Sequence, residues 1–74
     1  MRNPFQISLT NRQKQVIKLI AEGWTVNAMA GLFNLAPQTI QYHRHTAMVA
    51  IGVKDTASIT KFAIAAGLTP VGGW

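Results

Sequence analysis

The sequence predicts an all-α domain of four short helices. Apolar residues recur at intervals of three and four, strand-like alternation is absent from the sequence, and glycines, prolines and capping residues divide the chain into segments of helical length. With 74 residues and no cysteine, the chain is at most one small domain without disulfide bonds. A domain of this size is expected to be marginally stable or to gain stability from a second subunit.

The first helix is predicted to begin after Thr10. Thr10 and Gln13 have the spacing of a capping box, in which each side chain satisfies a backbone amide of the other residue. Apolar residues follow at helical spacing, and Gly23 is expected to end the helix in the left-handed conformation. These apolar residues are Val16, Ile17 and Ile20.

A short second helix is predicted after Thr25, whose hydroxyl is a favourable N-cap. Asn34 and Leu35 are expected to form a tight connection to the next helix. Trp24 is interpreted as a core residue or a hydrophobic staple without a functional role. The apolar face of this helix is predicted to consist of Met29, Leu32 and Phe33.

The third helix is predicted to run from Pro37 to about Ile51 and to end at Gly52, because proline is favoured at the first helical position. At about 100° per residue, one side of this helix is apolar and is expected to face the core, with His43 half-buried at its edge. The core-facing residues are Ile40, Ala47 and Ile51, with Met48 beside them.

The opposite side of the third helix is polar, aromatic and almost without charge. A helix face that is merely solvated is more often rich in Glu, Lys and Arg. Amide, phenol and imidazole groups bond base edges in the major groove of DNA, so this face favours a helix-turn-helix that binds DNA. The alternative is a helical bundle whose outward residues have no role. The outward residues are Gln38, Gln41, Tyr42, His45 and Val49.

The fourth helix is predicted to begin after Asp55, a favourable N-cap, and to end at Gly67. The side opposite its core stripe is also apolar, with Ala57, Ile64 and Leu68. Such an outer stripe is unexplained in a monomer, unless these are scattered apolar residues of an ordinary surface. The core stripe itself is predicted to consist of Ile59, Phe62, Ala63 and Ala66.

The charge balance is basic because acids are scarce. The chain has seven Lys and Arg residues and two acidic residues, which gives a formal net charge of +5. This balance points to an anionic partner, such as nucleic acid or a membrane surface. No helix face concentrates Lys and Arg as membrane-active helices do, no apolar run is long enough to span a membrane, and no nucleophile–base pair indicates an enzyme.

Several short segments match a known pattern in register: Leu-Thr-Asn-Arg at 9–12, Ala-Glu-Gly at 21–23, Thr-Ile-Gln-Tyr-His at 39–43, Ile-Gly-Val at 51–53 and Ala-Ile-Ala-Ala-Gly-Leu at 63–68. With these segments the chain resembles the LuxR/GerE-type helix-turn-helix DNA-binding domain of bacterial response regulators and quorum sensors. The resemblance implies an N-terminal extension (1–8), the helix-turn-helix domain (9–69) and a short, loose C-terminal tail (70–74).

The resemblance also implies roles for individual residues. The base-reading positions of the family correspond to Gln41, Tyr42 and His45. Contacts to the DNA backbone are expected near both ends of the third helix and at the start of the second, where helix N-termini favour phosphate. Whether Arg44 reaches DNA is left open. The candidates for backbone contacts are Thr25, Asn27, Gln38, Thr39 and Lys54.

The sequence departs from the family pattern at several positions. Gln13 and Ala28 stand where the family usually has Glu, and Ala36 stands where a serine usually caps the recognition helix. Gln41 and Ala50 occupy positions at which the family often has lysines that face DNA. Loss of the serine cap is expected to cost about 1 kcal/mol, which Pro37 at the first helical position partly offsets. These replacements leave two functions to be distinguished.

The first function is a free-standing, sequence-specific transcriptional regulator in the cytoplasm. It would bind double-stranded DNA as a homodimer, because the fourth helix commonly forms the dimer contact in the family and the outer side of that helix is predicted to present Ala57, Ile64 and Leu68. The second is an interaction protein that forms a heterodimer with a larger LuxR-type regulator and blocks its DNA binding. No cofactor is expected, and no metal site either, because residues two apart, such as His43 and His45, point to nearly opposite sides of a helix.

Overall fold

The computed structural model describes residues 8–68, which contain four α-helices and no strand. The prediction of an all-α domain with four helices is therefore confirmed. The predicted tail at 70–74 and most of the predicted extension at 1–8 lie outside the described residues. No helix of the described part is long and apolar enough to cross a membrane. The helices are α1 (Asn11–Ala21), α2 (Val26–Phe33), α3 (Pro37–Ile51) and α4 (Thr56–Ala65).

Three of the four helices begin with a side-chain cap. The capping box at Thr10 and Gln13 is complete, because each of these side chains accepts a hydrogen bond from the backbone amide of the other residue. The Thr25 hydroxyl caps α2 and the Asp55 carboxylate caps α4, as predicted. Ala36 precedes α3 without any side-chain cap. The local signals in the sequence therefore locate every helix start correctly.

All four helices end in the same way, with a residue of positive φ followed by an apolar residue. The amide of that apolar residue donates to the carbonyl five residues earlier, which is the Schellman motif. At the end of α2, Asn34 (φ 56°) takes the position that glycine occupies in the other three helices. The four donor–acceptor pairs are Trp24–Leu19, Leu35–Ala30, Val53–Met48 and Leu68–Ala63.

The core is built around α1, which packs against both α3 and α4, while α2 packs against α3. Ile17 of α1, Met29 of α2, Ile40 of α3 and Ile59 of α4 are all fully buried, so that every helix contributes a large apolar side chain to one core. No side-chain nitrogen or oxygen atom that is buried within residues 8–68 lacks a hydrogen-bond partner. The orientation of α3 is therefore fixed from two sides, by α1 and by α2.

One prediction about α2, and one of the two alternatives given for Trp24 in the turn before it, are wrong. Leu32 was expected in the core but is 54% exposed, and the buried residues of this helix are Met29 and Ala30. At about 100° per residue, Leu32 lies 60° outside the arc that these two residues and Phe33 span. Trp24 is 39% exposed, so its placement in the core is wrong, whereas the alternative of a hydrophobic staple stays a prediction.

Two predictions about α4 also need correction. Ala66 was expected in the core stripe, but it is the exposed C-cap of the helix. Leu68 was expected on the outer stripe, but it is half-buried and packs against the core. The reason is that Gly67 (φ 73°) reverses the chain, and the amide of Leu68 donates to the carbonyl of Ala63. An extrapolated helix cannot anticipate this reversal.

Candidate nucleic-acid interface

A short helix, a sharp turn and a longer helix lie at one side of the domain, as the sequence predicted. Residues 34–36 connect α2 to α3, and the left-handed conformation of Asn34 makes the turn tight. Leu35 is half-buried and packs against the core, which anchors the turn. This is the geometry of a helix-turn-helix, in which the second helix is the one that enters a groove of DNA.

The inner side of α3 is fixed in the core. Ile40, Ala47 and Met48 are buried, and Ile51 is half-buried against them. His43 is half-buried at the edge of this side, as predicted, and its ring meets the ring of Tyr42 edge to face with 5.9 Å between centroids. The burial of one side leaves the opposite side of the helix to the solvent.

The outer side of α3 presents the residues that the helical periodicity placed there. Tyr42 is 65% exposed and Val49 is 68% exposed. Gln38, Gln41 and His45 are exposed as well. The structure therefore brings the three proposed base-reading residues, Gln41, Tyr42 and His45, onto one accessible face.

A hydrogen bond between helices fixes α3 relative to α1. The side-chain amide nitrogen Nε2 of Gln13 donates to Oγ1 of Thr46 over 3.0 Å. The Thr46 hydroxyl donates in turn to the backbone carbonyl of His43 at 3.1 Å. Sequence reasoning assigned Gln13 only to the capping box. A capping box uses only the side-chain oxygen of the glutamine. The side-chain amide nitrogen that it leaves over was the one sign in the sequence of a further hydrogen-bond partner.

Contacts also tie α1 to α2 and α3 to α4. The guanidinium carbon of Arg12 lies 4.3 Å from the centre of the half-buried Phe33 ring, a cation–π contact. Arg44 is half-buried, and its Nη2 lies 3.4 Å from Oγ1 of Thr56 at the start of α4. Arg44, which the sequence left open, is thus directed along the α3–α4 junction.

The candidates for contacts to the DNA backbone lie in separate parts of the surface. Gln38 is exposed and Thr39 half-buried in the first turn of α3, whereas Lys54 is exposed just after its end. A helix of 15 residues separates these two positions by about 22 Å. Thr25 and Asn27 are exposed at the start of α2, and the Thr25 hydroxyl already accepts a hydrogen bond from the Ala28 amide.

The two acidic residues of the chain lie outside α3. Glu22 forms an ion pair of 2.7 Å with Lys18 on α1. Asp55 caps α4, and hydrogen bonds from Ser58 lower the pKa of its carboxyl below the usual value, with a smaller contribution from the charge of Lys61. Both carboxylates are therefore engaged in local interactions, and the outer side of α3 carries no negative charge.

The outer side of α4 is apolar over a smaller area than predicted. Ala57 is exposed and Ile64 is 41% exposed. Leu68, the third residue expected there, packs against the core instead. The residues that remain accessible for a contact with a second subunit are therefore Ala57 and Ile64, with Lys61 and Ala65 exposed on the same helix.

Comparison with known proteins agrees with this geometry. The model of one family, described as bacterial regulatory proteins of the luxR family, matches residues 7–63. The chain belongs to this family. Its LuxR-type helix-turn-helix is a DNA-binding domain of transcription regulators, so that the resemblance identified from the sequence is confirmed.

Two curated proteins to which the chain is similar come from Escherichia coli. The transcriptional regulatory protein UhpA is 32% identical over 56 residues, which are 76% of this chain and 29% of UhpA. The uncharacterized response regulatory protein YgeK is 30% identical over 63 residues, which are 85% of this chain and 43% of YgeK. The chain thus spans less than half the length of either relative.

Proposed function

We propose that this LuxR-family domain is a sequence-specific transcriptional regulator that inserts α3 into the major groove of double-stranded DNA. The observation that carries the proposal is the division of α3 into two sides. One side is fixed in the core by Ile40, Ala47 and Met48, while the other presents exposed amide, phenol and imidazole groups. Because duplex DNA is the partner, the proposed compartment is the cytoplasm.

The base contacts are assigned to Gln41, Tyr42 and His45. A glutamine side chain can donate to N7 and accept from the N6 amino group of adenine in a bidentate pair, and a tyrosine ring can pack on the methyl group of thymine. The imidazole of His45 can donate to an acceptor on a base edge. These neutral groups make specificity depend on hydrogen bonds and shape rather than on charge.

The contacts to phosphate are assigned to residues at the ends of the helices. Lys54 is exposed after α3 and supplies a cation, while Gln38, Thr39 and Asn27 supply neutral donors near helix N-termini. The Thr25 hydroxyl accepts from an amide and still has its own proton to donate. With one lysine in this set, the affinity for DNA rests on the net charge of +5 summed over two subunits.

The active species is proposed to be a homodimer formed through the outer side of α4. Ile64 and Ala57 are exposed apolar residues on this helix, and a two-fold contact would bury them against their own copies. A symmetric dimer presents two copies of α3, so it would bind a pair of inverted half-sites.

A second candidate is an interaction protein that pairs with a larger LuxR-type regulator and prevents its binding to DNA. The observation in its favour is the scarcity of cations on α3. This helix has no lysine, and its single arginine, Arg44, is directed towards Thr56 of α4. A heterodimer with one weak DNA face would then be inactive on a symmetric site.

Selection of preferred sequences from random duplexes distinguishes the two candidates. The regulator should recover a symmetric site, and the Gln41→Ala/Tyr42→Ala/His45→Ala variant should recover none, because all three side chains are exposed and their loss leaves the core intact. The interaction protein would be supported instead if the unaltered protein enriches no preferred sequence and captures a full-length LuxR-type regulator.

A further inference from the structure

A shallow pocket of about 440 Å³ opens beside the outer side of α3, near the end of the helix. Its lining is mainly apolar, and no acidic residue belongs to it. Met48 is buried and Val53 half-buried, while Val49 and Lys54 are exposed. The proposed base contacts use only one residue of this pocket. The lining residues are His45, Met48, Val49, Gly52, Val53 and Lys54.

Val49 is the pocket residue without an assigned role. It is 68% exposed, more than any other large apolar side chain of the described residues. It lies one turn after His45 and two turns after Tyr42, so that it continues the same outward face of α3. Val49 thus lies between the proposed base-reading residues and a lysine. This position suits an apolar contact with nucleic acid better than exposure to solvent.

We propose that Val49 is a specificity-determining residue that contacts the 5-methyl group of a thymine in the major groove. This inference rests on the proposed function. Thymine is the one standard DNA base with a methyl group in that groove, and apolar side chains read it. The apolar pocket receives the methyl group, while exposed Lys54 at its border is suited to the adjoining phosphate.

This thymine differs from any thymine read by Tyr42. Seven residues of helix separate Tyr42 from Val49, which corresponds to about 10 Å along the axis. Base pairs follow one another at about 3.4 Å. One base edge therefore cannot serve both side chains, and a half-site can contain two separately read thymines.

The test replaces single thymines of the selected duplex by deoxyuridine, which lacks only the methyl group. For the unaltered protein, replacement of one such thymine in a single half-site should weaken binding about fourfold, the effect of losing the burial of one methyl group. The Val49→Ala variant should bind the thymine and uracil duplexes equally at that position, and Val49→Ile should restore the preference for thymine. The Tyr42→Ala variant is the matched control and should keep this preference.

Each of the following results would contradict the contact between Val49 and a thymine methyl group. If the uracil replacement lowers the affinity of Val49→Ala as much as it lowers that of the unaltered protein, Val49 does not read the methyl group. If the preference disappears only with Tyr42→Ala, the tyrosine reads it. If Val49→Ala lowers the mass of the free protein in solution, the pocket is covered by a second copy. If no duplex is selected at all, the proposed function fails together with the contact.

Discussion

Nε2 of Gln13, in the first turn of α1, lies 3.0 Å from Oγ1 of Thr46 in the middle of α3. The same glutamine accepts a hydrogen bond from the Thr10 amide through Oε1, so that one side chain caps α1 and holds α3. The family usually has Glu at this position, and a carboxylate has no proton to donate to Thr46. A glutamate would instead have to accept from the Thr46 hydroxyl, which here donates to the carbonyl of His43, so that Thr46 keeps both of its hydrogen bonds only with glutamine.

The first prediction concerns the strength of this link. Replacing Thr46 by Val removes the acceptor while keeping the branched shape, and should lower the free energy of unfolding by about 1 kcal/mol. In a chain that already carries Gln13→Ala, the same replacement should cost markedly less. A coupling energy between the two sites of about 0.5–1.5 kcal/mol in denaturant unfolding is expected. Strictly additive effects would show that the two side chains do not interact.

The second prediction concerns the uncapped start of α3. Ala36 has extended backbone angles (φ −69°, ψ 146°), which suit an N-cap, but its methyl group accepts no hydrogen bond. Ala36→Ser should raise the free energy of unfolding by about 1 kcal/mol, because its hydroxyl can accept from the amide of Gln38 or from that of Thr39, which at present donates to the Ala36 carbonyl at 2.9 Å. In a thermal melt, the Tm should rise by roughly 4–8 °C. Ala36→Val is the control without an acceptor, and an equal Tm for both variants would contradict this explanation.

The third prediction concerns the pH dependence of stability. Hydrogen bonds from Ser58, and to a smaller extent the charge of Lys61, lower the pKa of Asp55 in the folded state. Its stabilising effect is therefore complete above the usual carboxyl pKa of about 3.9 and is lost as the pH falls through the lower, folded value. Asp55→Asn keeps a capping oxygen but no charge.

The test compares both proteins in urea unfolding between neutral pH and about pH 2. The advantage of the unaltered protein over Asp55→Asn should shrink as the medium becomes acidic. Glu22 is present in both proteins, so that its contribution cancels in the difference. A difference that stays constant over this range would show that the charge of Asp55 has no part in capping α4.

The fourth prediction concerns the proposed dimer. Ile64→Lys places a charge on the outer side of α4 and should convert the dimer to a monomer, because burying an unpaired charge in a contact is unfavourable. Leu32→Lys is the matched control, since Leu32 is also an exposed apolar residue but lies on α2. Light scattering should give the monomer mass for the first variant and the dimer mass for the second. A dimer mass for both variants would place the dimer contact elsewhere, and a monomer mass for the unaltered protein would contradict the dimer itself.

The sequence predicted the helices well because their limits depend on local interactions. Thr10, Thr25 and Asp55 cap the helices that follow, and Gly23 and Gly52 end the helices before them, as expected. Each of these signals acts within a few residues, so that no tertiary information is needed to recognise it.

The sequence predicted less of the features that depend on how the helices meet. Leu32 and Leu68 were misplaced because α2 buries a narrow arc and because the chain reverses at Gly67. The contact of Gln13 with Thr46 joins residues far apart in the chain, which periodicity cannot reveal. The outward face of α3 was nevertheless predictable, since the burial of Ile40 determines which side of the helix is exposed.

A titration of duplex DNA with the unaltered protein and with the Gln41→Ala/Tyr42→Ala/His45→Ala variant tests the central claim most directly. The unaltered protein should bind at about 50 mM salt and bind more weakly at about 200 mM, because phosphate contacts release counterions. It should prefer a selected duplex over a scrambled one, whereas the variant should lose this preference, with a loss of about 1–3 kcal/mol for each base contact. If the unaltered protein fails to bind at the lower salt concentration, or if the variant keeps the full preference, α3 does not read DNA as proposed.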